Sequence, residues 1–219
     1  NKSMHDQIAA MMRYKSFDEV TDLMMKELDE PLSRINAFST QSPIEQDAIY
    51  LTDILKQLKE YTQPIKMELN QFNITELIEI IAKRTEESIE KLEQVKKPLV
   101  FRYYQPGEII KINASRHHLE TALWAIFDHC ITIVGRHGGD IFISLDFDSK
   151  WINLSIRHSG LGLNQKESKE VFKPFFKNAD YVSGLKLFAA LSVIQNHQGK
   201  IIVDADEDNG TEFLIELPL

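Results

Sequence analysis

Absences narrow this sequence before any motif does. A single cysteine, Cys130, in 219 residues excludes an internal disulfide and any zinc site built on several thiolates. No run of 18 apolar residues occurs, and the N-terminal residues lack the charged-then-apolar pattern of a secretion signal, so a cytoplasmic protein without direct membrane contact is predicted. Basic residues never cluster. With 25 Lys and Arg against 33 Asp and Glu, the net charge of −8 argues against nucleic acid as a partner, because backbone phosphates need a basic face. Nine glycines and seven prolines are too few for a low-complexity or collagen-like chain. What is present, 43% hydrophobic and 26% charged residues, is the composition of a globular protein with room for one large or two small domains.

The pattern changes near Pro64, which divides the chain into 1–63 and 64–219. From Phe17, apolar residues Val20, Met24, Leu28, Leu32 and Ile35 recur at spacings of three and four, one stripe along a helix. Ser42 and Pro43, with Glu45 three residues after Ser42, carry the signature of a new helix start, and Ala48, Leu51, Leu55 and Leu58 continue it. The resulting hairpin has a stripe on each helix and little to bury it against, so two copies pairing into a four-helix bundle are expected. After Pro64 helices and strands alternate. Asn73 caps a helix carrying Leu77, Ile80 and Ile81, strands are expected over 98–103 and 108–112, and Ser115 is expected to cap a helix with Leu119, Ala122, Leu123, Ile126 and Cys130 inward. Strands over 141–147 and 151–156 are joined by an Asp148-Ser149-Lys150 turn. A helix over 185–195 and strands over 200–205 and 211–216 close the chain. The fold class is therefore α+β, a helical hairpin followed by a two-layer α/β sandwich with a mixed sheet.

Three ordered motifs then point to a family. Arg157-His158-Ser159-Gly160-Leu161-Gly162 resembles a first glycine box, Val171-Phe172-Lys173-Pro174-Phe175-Phe176 a phenylalanine box, and the run from His197-Gln198-Gly199 through Gly210-Thr211-Glu212-Phe213 a pair of closing strands. Together they resemble the cytoplasmic core of sensor histidine kinases: a dimerisation and phosphotransfer hairpin followed by an ATP-binding domain of the GHKL type.

The departures from that pattern fall on the residues the chemistry needs. At the position of the phosphorylated histidine stands Lys26, followed by Glu27-Leu28-Asp29-Glu30-Pro31-Leu32. A lysine ammonium on an exposed helix has no lone pair with which to attack ATP. The resemblance further implies two Asn at i and i+4 on one helix face, read here as Trp124 and Asp128, and an adenine-binding Asp, read as His158. Asp128 retains an oxygen ligand for magnesium if Mg-ATP binds. In the second glycine box, Val182-Ser183-Gly184-Leu185-Lys186-Leu187, only Gly184 survives of three glycines, and residues 177–181 are very short for the lid that covers ATP.

The sequence thus implies a degenerate histidine kinase of bacterial two-component signalling with no catalytic residue. It keeps a degenerate cleft of Trp124, Asp128, His158, Gly160, Gly162 and Gly184, and no cofactor is expected. The alternative is a divergent active kinase or ATPase that uses Mg-ATP. Expected partners are a second copy of the chain and a response-regulator receiver domain or related kinase, docking at Met25, Ala37 and Phe38 of the first helix. The protein is expected to act in this form or as the cytoplasmic part of a longer sensor.

Overall fold

The computed structural model describes residues 28, 68–91, 101–104, 107, 109–178, 182–206 and 208–219. The chain divides into two compact units, Asn1–Gln63 and Pro64–Leu219. In the first, Leu28 is helical and half-buried. The rest of the expected hairpin, with Met25, Lys26, Glu27, Ala37 and Phe38, lies outside the described residues.

The second unit opens with strand β1 (Asn70–Asn73) and helix α1 (Ile74–Glu90). Asn73 begins the helix as expected: its Oδ1 accepts from the Thr75 amide at 3.1 Å, satisfying one of the N–H groups a helix start leaves unpaired. Ile74, Leu77, Ile78 and Ile81 are buried, whereas Ile80 is 49% exposed on the opposite side. Strand β2 (Phe101–Tyr104) follows, then β3 (Lys111–Ala114), which pairs with β1 rather than with the main sheet. No strand is expected at β1, and the strand expected over 108–112 starts three residues and ends two residues before β3, because a four-residue strand rich in Asn and Lys carries little alternation to read.

Helix α2 (Arg116–His137) is the structural centre of the unit. It begins after Ser115 as expected, but the Ser115 hydroxyl makes no cap. It lies 2.7 Å from His118 Nδ1, while the Ser115 amide donates to His197 Nε2 at 3.0 Å. Gly138, at φ 76, ends the helix, its amide donating to the Val134 carbonyl at 2.8 Å.

The main sheet has the order β2-β4-β5-β9-β8, with β4 (Ile141–Phe147), β5 (Trp151–His158), β8 (Lys200–Asp206) and β9 (Gly210–Pro218). Only β2 runs parallel to its neighbour, so the sheet is mixed. Both hairpins are closed by an aspartate that collects turn amides: Asp148 Oδ1 from Lys150 and Trp151 at 2.7 and 2.9 Å, and Asp206 Oδ1 from Asp208 and Asn209 at 3.0 and 2.9 Å. Alternation puts Ile141, Ile143, Leu145, Ile152, Leu154, Ile156, Phe213, Ile215 and Leu217 on the inner face. There they pack with Leu119, Leu123, Ile126 and Phe127 of α2 and with Leu187 and Ile194 of helix α4 (Lys186–Asn196). Each such side chain contributes roughly 1.5–3 kcal/mol of burial. Between β5 and α4 lie helix α3 (Gln165–Glu170), capped reciprocally by Asn164 and Glu167, and a hairpin of β6 (Phe176–Lys177) and β7 (Val182–Gly184). No described helix is long and apolar enough to cross a membrane.

Candidate functional site

Of the residues singled out from the sequence, His158, Gly160 and Gly162 lie at and just after the end of β5, and Asp128 of α2 reaches the start of α4. His158, the last residue of β5, is fully buried, and among the described residues neither of its ring nitrogens meets a hydrogen-bond partner. Against it lies His129 of α2, also fully buried, with ring centroids 5.8 Å apart; His129 also stands edge-on to Phe213 at 5.4 Å. Burial favours the uncharged rings. It lowers His158 to a pKa of about 4, and burial together with the neighbouring His158 lowers His129 to about 3. The helix face directed at the glycine-box strand is therefore that of His129 and, one turn earlier, Ala125.

The pair expected there, Trp124 and Asp128, sits one residue out of phase and turns elsewhere. Trp124 is half-buried beneath Arg84 of α1, whose guanidinium carbon lies 3.7 Å from the indole centroid. Asp128 does reach the far wall of the cleft, but its Oδ2 is 3.3 Å from Nζ of Lys186, the first residue of α4. Both side chains of that pair are more than a third exposed, so it adds little to stability and matters for what it occupies.

The glycines have structural occupations. A Cβ at Gly160 would come within 3.0 Å of the Gly138 carbonyl oxygen, and one at Gly162 would overlap the carbonyl oxygens of Asp206 and Gly210. The loop that holds them is fastened by the Leu163 amide donating to Thr211 Oγ1 at 3.1 Å and by reciprocal bonds between Ser159 and Asp140. Gly184 lies in β7, paired with Phe176. Of the segment expected to be a short lid, Lys177 belongs to β6, which pairs with β7, and residues 179–181 lie outside the described residues. Phe175 and Phe176 are buried, and Phe172 stands edge-on to Phe213 at 6.1 Å; Phe175 takes a left-handed backbone at φ 56, uncommon for an aromatic residue.

A match to the family described as histidine kinase-, DNA gyrase B- and HSP90-like ATPase covers residues 114–219, the stretch from the end of β3 through α2 to the last strand. Residues 114–219 are a histidine kinase-type ATPase domain. Among curated relatives of this chain, sporulation kinase E of Bacillus subtilis is 32% identical over 83 residues, which is 37% of this chain and 11% of the relative. The signal transduction histidine-protein kinase AtoS of Escherichia coli is 24% identical over 100% of this chain and 37% of its own length. The chain therefore spans well under half the length of these relatives. The solved catalytic domain of histidine kinase ThkA is 26% identical at a TM-score of 0.60, covering 69% of this chain and 95% of that one. ThkA in complex with the response regulator TrrA shares the fold at a TM-score of 0.72 and 24% identity, over 91% of this chain and 61% of that one.

Two participants in this cleft carry no signal in the sequence. His129 is a core residue facing His158, and His118 holds the Ser115 hydroxyl. Lys186 was read as a missing glycine, and its specific partner, Asp128, is 58 residues away. Chain spacing alone cannot reveal such a pair.

Proposed function

We propose that this chain is a degenerate histidine kinase of two-component signalling that works by binding. It is dimeric through a hairpin over residues 17–62, and that four-helix bundle presents Met25, Ala37 and Phe38 to a response-regulator receiver domain or another kinase. The observation that carries the reading is the ion pair between Asp128 and Lys186. Asp128, the carboxylate that the sequence offers for magnesium, is engaged by a lysine that stands in place of a glycine. The rest of the donor set points the same way. On the helix face that meets β5, Ala125 offers no side-chain ligand and His129 is packed against His158 and Phe213. These residues do not fit a magnesium-nucleotide complex.

Retention of Gly160 and Gly162 does not argue for nucleotide, since backbone packing alone excludes a side chain at either position. Lys26 at the phospho-acceptor position supports loss of phosphotransfer. Receiver-domain docking is supported by likeness of fold to ThkA, which has been solved with its response regulator.

Calorimetric titration of the full chain with Mg-ATP, paired with incubation in radiolabelled ATP, tests the reading. No saturable heat and no acid-labile, base-stable label are expected. Micromolar affinity, or phosphohistidine at any of the seven histidines, would establish a divergent active kinase or ATPase instead.

A further inference from the structure

Helices cover one face of the main sheet, and every side chain directed to the other face is half-buried or exposed. Strand register places Arg102, Phe142, Arg157, Glu212 and Asp204 on one row across all five strands. Charge is segregated along it. Two guanidiniums stand on β2 and β5, and two carboxylates stand on β9 and β8. Arg157 and Glu212 are direct cross-strand neighbours, the arrangement in which opposite charges ordinarily pair. Here Glu212 instead accepts the Ser155 hydroxyl at 2.5 Å, and Arg102, Arg157 and Asp204 make no ion pair among the described residues. Lys200 and Glu216, further along the same face, do pair at 2.8 Å. The next row carries apolar groups at both ends, Tyr104 at 71% exposure on β2 and Ile202 at 45% on β8. A shallow concavity of about 790 Å³ lies over the arginine half, bounded by Tyr104, Phe142 and Glu212.

We propose that this open face docks a second copy of the same chain, sheet against sheet, about a two-fold axis that runs along the strands above the β5–β9 boundary. An acidic partner would meet Glu212 and Asp204 over half of the surface, and a basic partner would meet both arginines. A small molecule would find a face too open to bury most of its own surface. A surface with the same segregation reversed satisfies both halves, and rotation of this chain about such an axis supplies one. Arg157 then stands over the second copy's Glu212, and Arg102 reaches toward its Asp204, each contact occurring twice by symmetry. Tyr104 and Ile202 lie at the margins on either side.

Five strands at ~4.8 Å spacing, with seven-residue strands such as β4 and β8 rising ~3.3 Å per residue, make a face of about 19 by 23 Å, or roughly 440 Å², smaller than the roughly 800 Å² per partner of a standard interface. The association is therefore weak, and it is independent of both the hairpin and the state of the nucleotide cleft.

Sedimentation of the full chain from low to high micromolar concentration is the test. The mass is expected to double beyond its dilute value, whatever that value is, and the doubling to fade with added salt. Arg157→Glu and Glu212→Arg are each expected to weaken the step by about tenfold or more, since like charges then oppose each other twice. An equimolar mixture of the two variants should recover it, because each carries the charge the other lost. That recovery also shows that neither variant has simply unfolded. A wild-type mass that stays constant, a step indifferent to both reversals, or loss without recovery on mixing would each overturn the proposal. So would saturable binding of an oligoglutamate peptide by a chain that does not self-associate, which would reassign the face to an acidic partner.

Discussion

Acidification should weaken the second unit before any carboxylate titrates, because two imidazoles are buried against each other at its centre. His129 and His158 are uncharged in the folded state down to pH values of about 3 and about 4, whereas both take up protons near pH 6.5 once the chain unfolds. The unfolded state therefore binds more protons than the folded one throughout this window, and stability rises with pH across it. Above pH 6.5 neither state is protonated and nothing is lost. Below it each histidine removes about 1.4 kcal/mol per pH unit, so the pair costs about 4 kcal/mol by pH 5, a large share of the 5–15 kcal/mol typical of a domain. Asp148, stabilised by the Lys150 and Trp151 amides, and Glu170, bonded to Lys173, have lowered pKa values, so their contributions fade only in stronger acid. Urea unfolding followed by tryptophan fluorescence at pH 7, 6, 5.5 and 5 measures the slope. Wild type should approach two protons per pH unit and His129→Leu one. Stability that is flat from pH 6.5 to 5, or a slope unchanged in His129→Leu, would refute the reasoning.

Three further outcomes are expected. Gly162→Ala should lower stability by at least about 2 kcal/mol in the absence of any nucleotide, because its methyl overlaps the Asp206 carbonyl; a thermal melt identical to wild type would return that glycine to a ligand-binding role. Light scattering of the full chain at low micromolar concentration should report twice the chain mass, with Leu28→Asp or Leu55→Asp giving monomer or unfolded protein. Met25→Glu combined with Phe38→Glu should abolish pull-down of a cognate receiver domain while leaving the dimer intact.

Turns and strand alternation made most of the sheet readable in advance. The turn at 148–150 fell where the residues indicated, and β4, β5, β8 and β9 differ from expectation by no more than two residues at an end. The phase of α2 was not readable, for a physical reason. Leu119, Ala122, Leu123, Ala125, Ile126, Phe127, His129 and Cys130 are all buried, and the narrow polar stripe of His117, Thr121, Asp128 and Thr132 is interrupted by Trp124 while His129 is buried, so polarity does not set the register. An i, i+4 rule fixes the spacing of a pair and leaves its rotation open, and the difference between Trp124 with Asp128 and Ala125 with His129 is one such step. The β6–β7 hairpin was hidden likewise, since a two-residue strand has no period.

The route of the chain through the sheet separates the cleft loops from the strands that carry the fold. β5 pairs along its length with β9, and β8 folds back onto β9 through a short turn, so β4, β5, β9 and β8 form a continuous antiparallel ladder. Residues 159–199 are an excursion that leaves this ladder at the end of β5 and rejoins it at the start of β8. Gly160 and Gly162, the second glycine box, the phenylalanine box and Lys186 lie in the excursion, and its backbone supplies none of the ladder's hydrogen bonds. Drift at its exposed positions, such as Lys186, is buffered, because the ladder and its inner face continue to specify the fold.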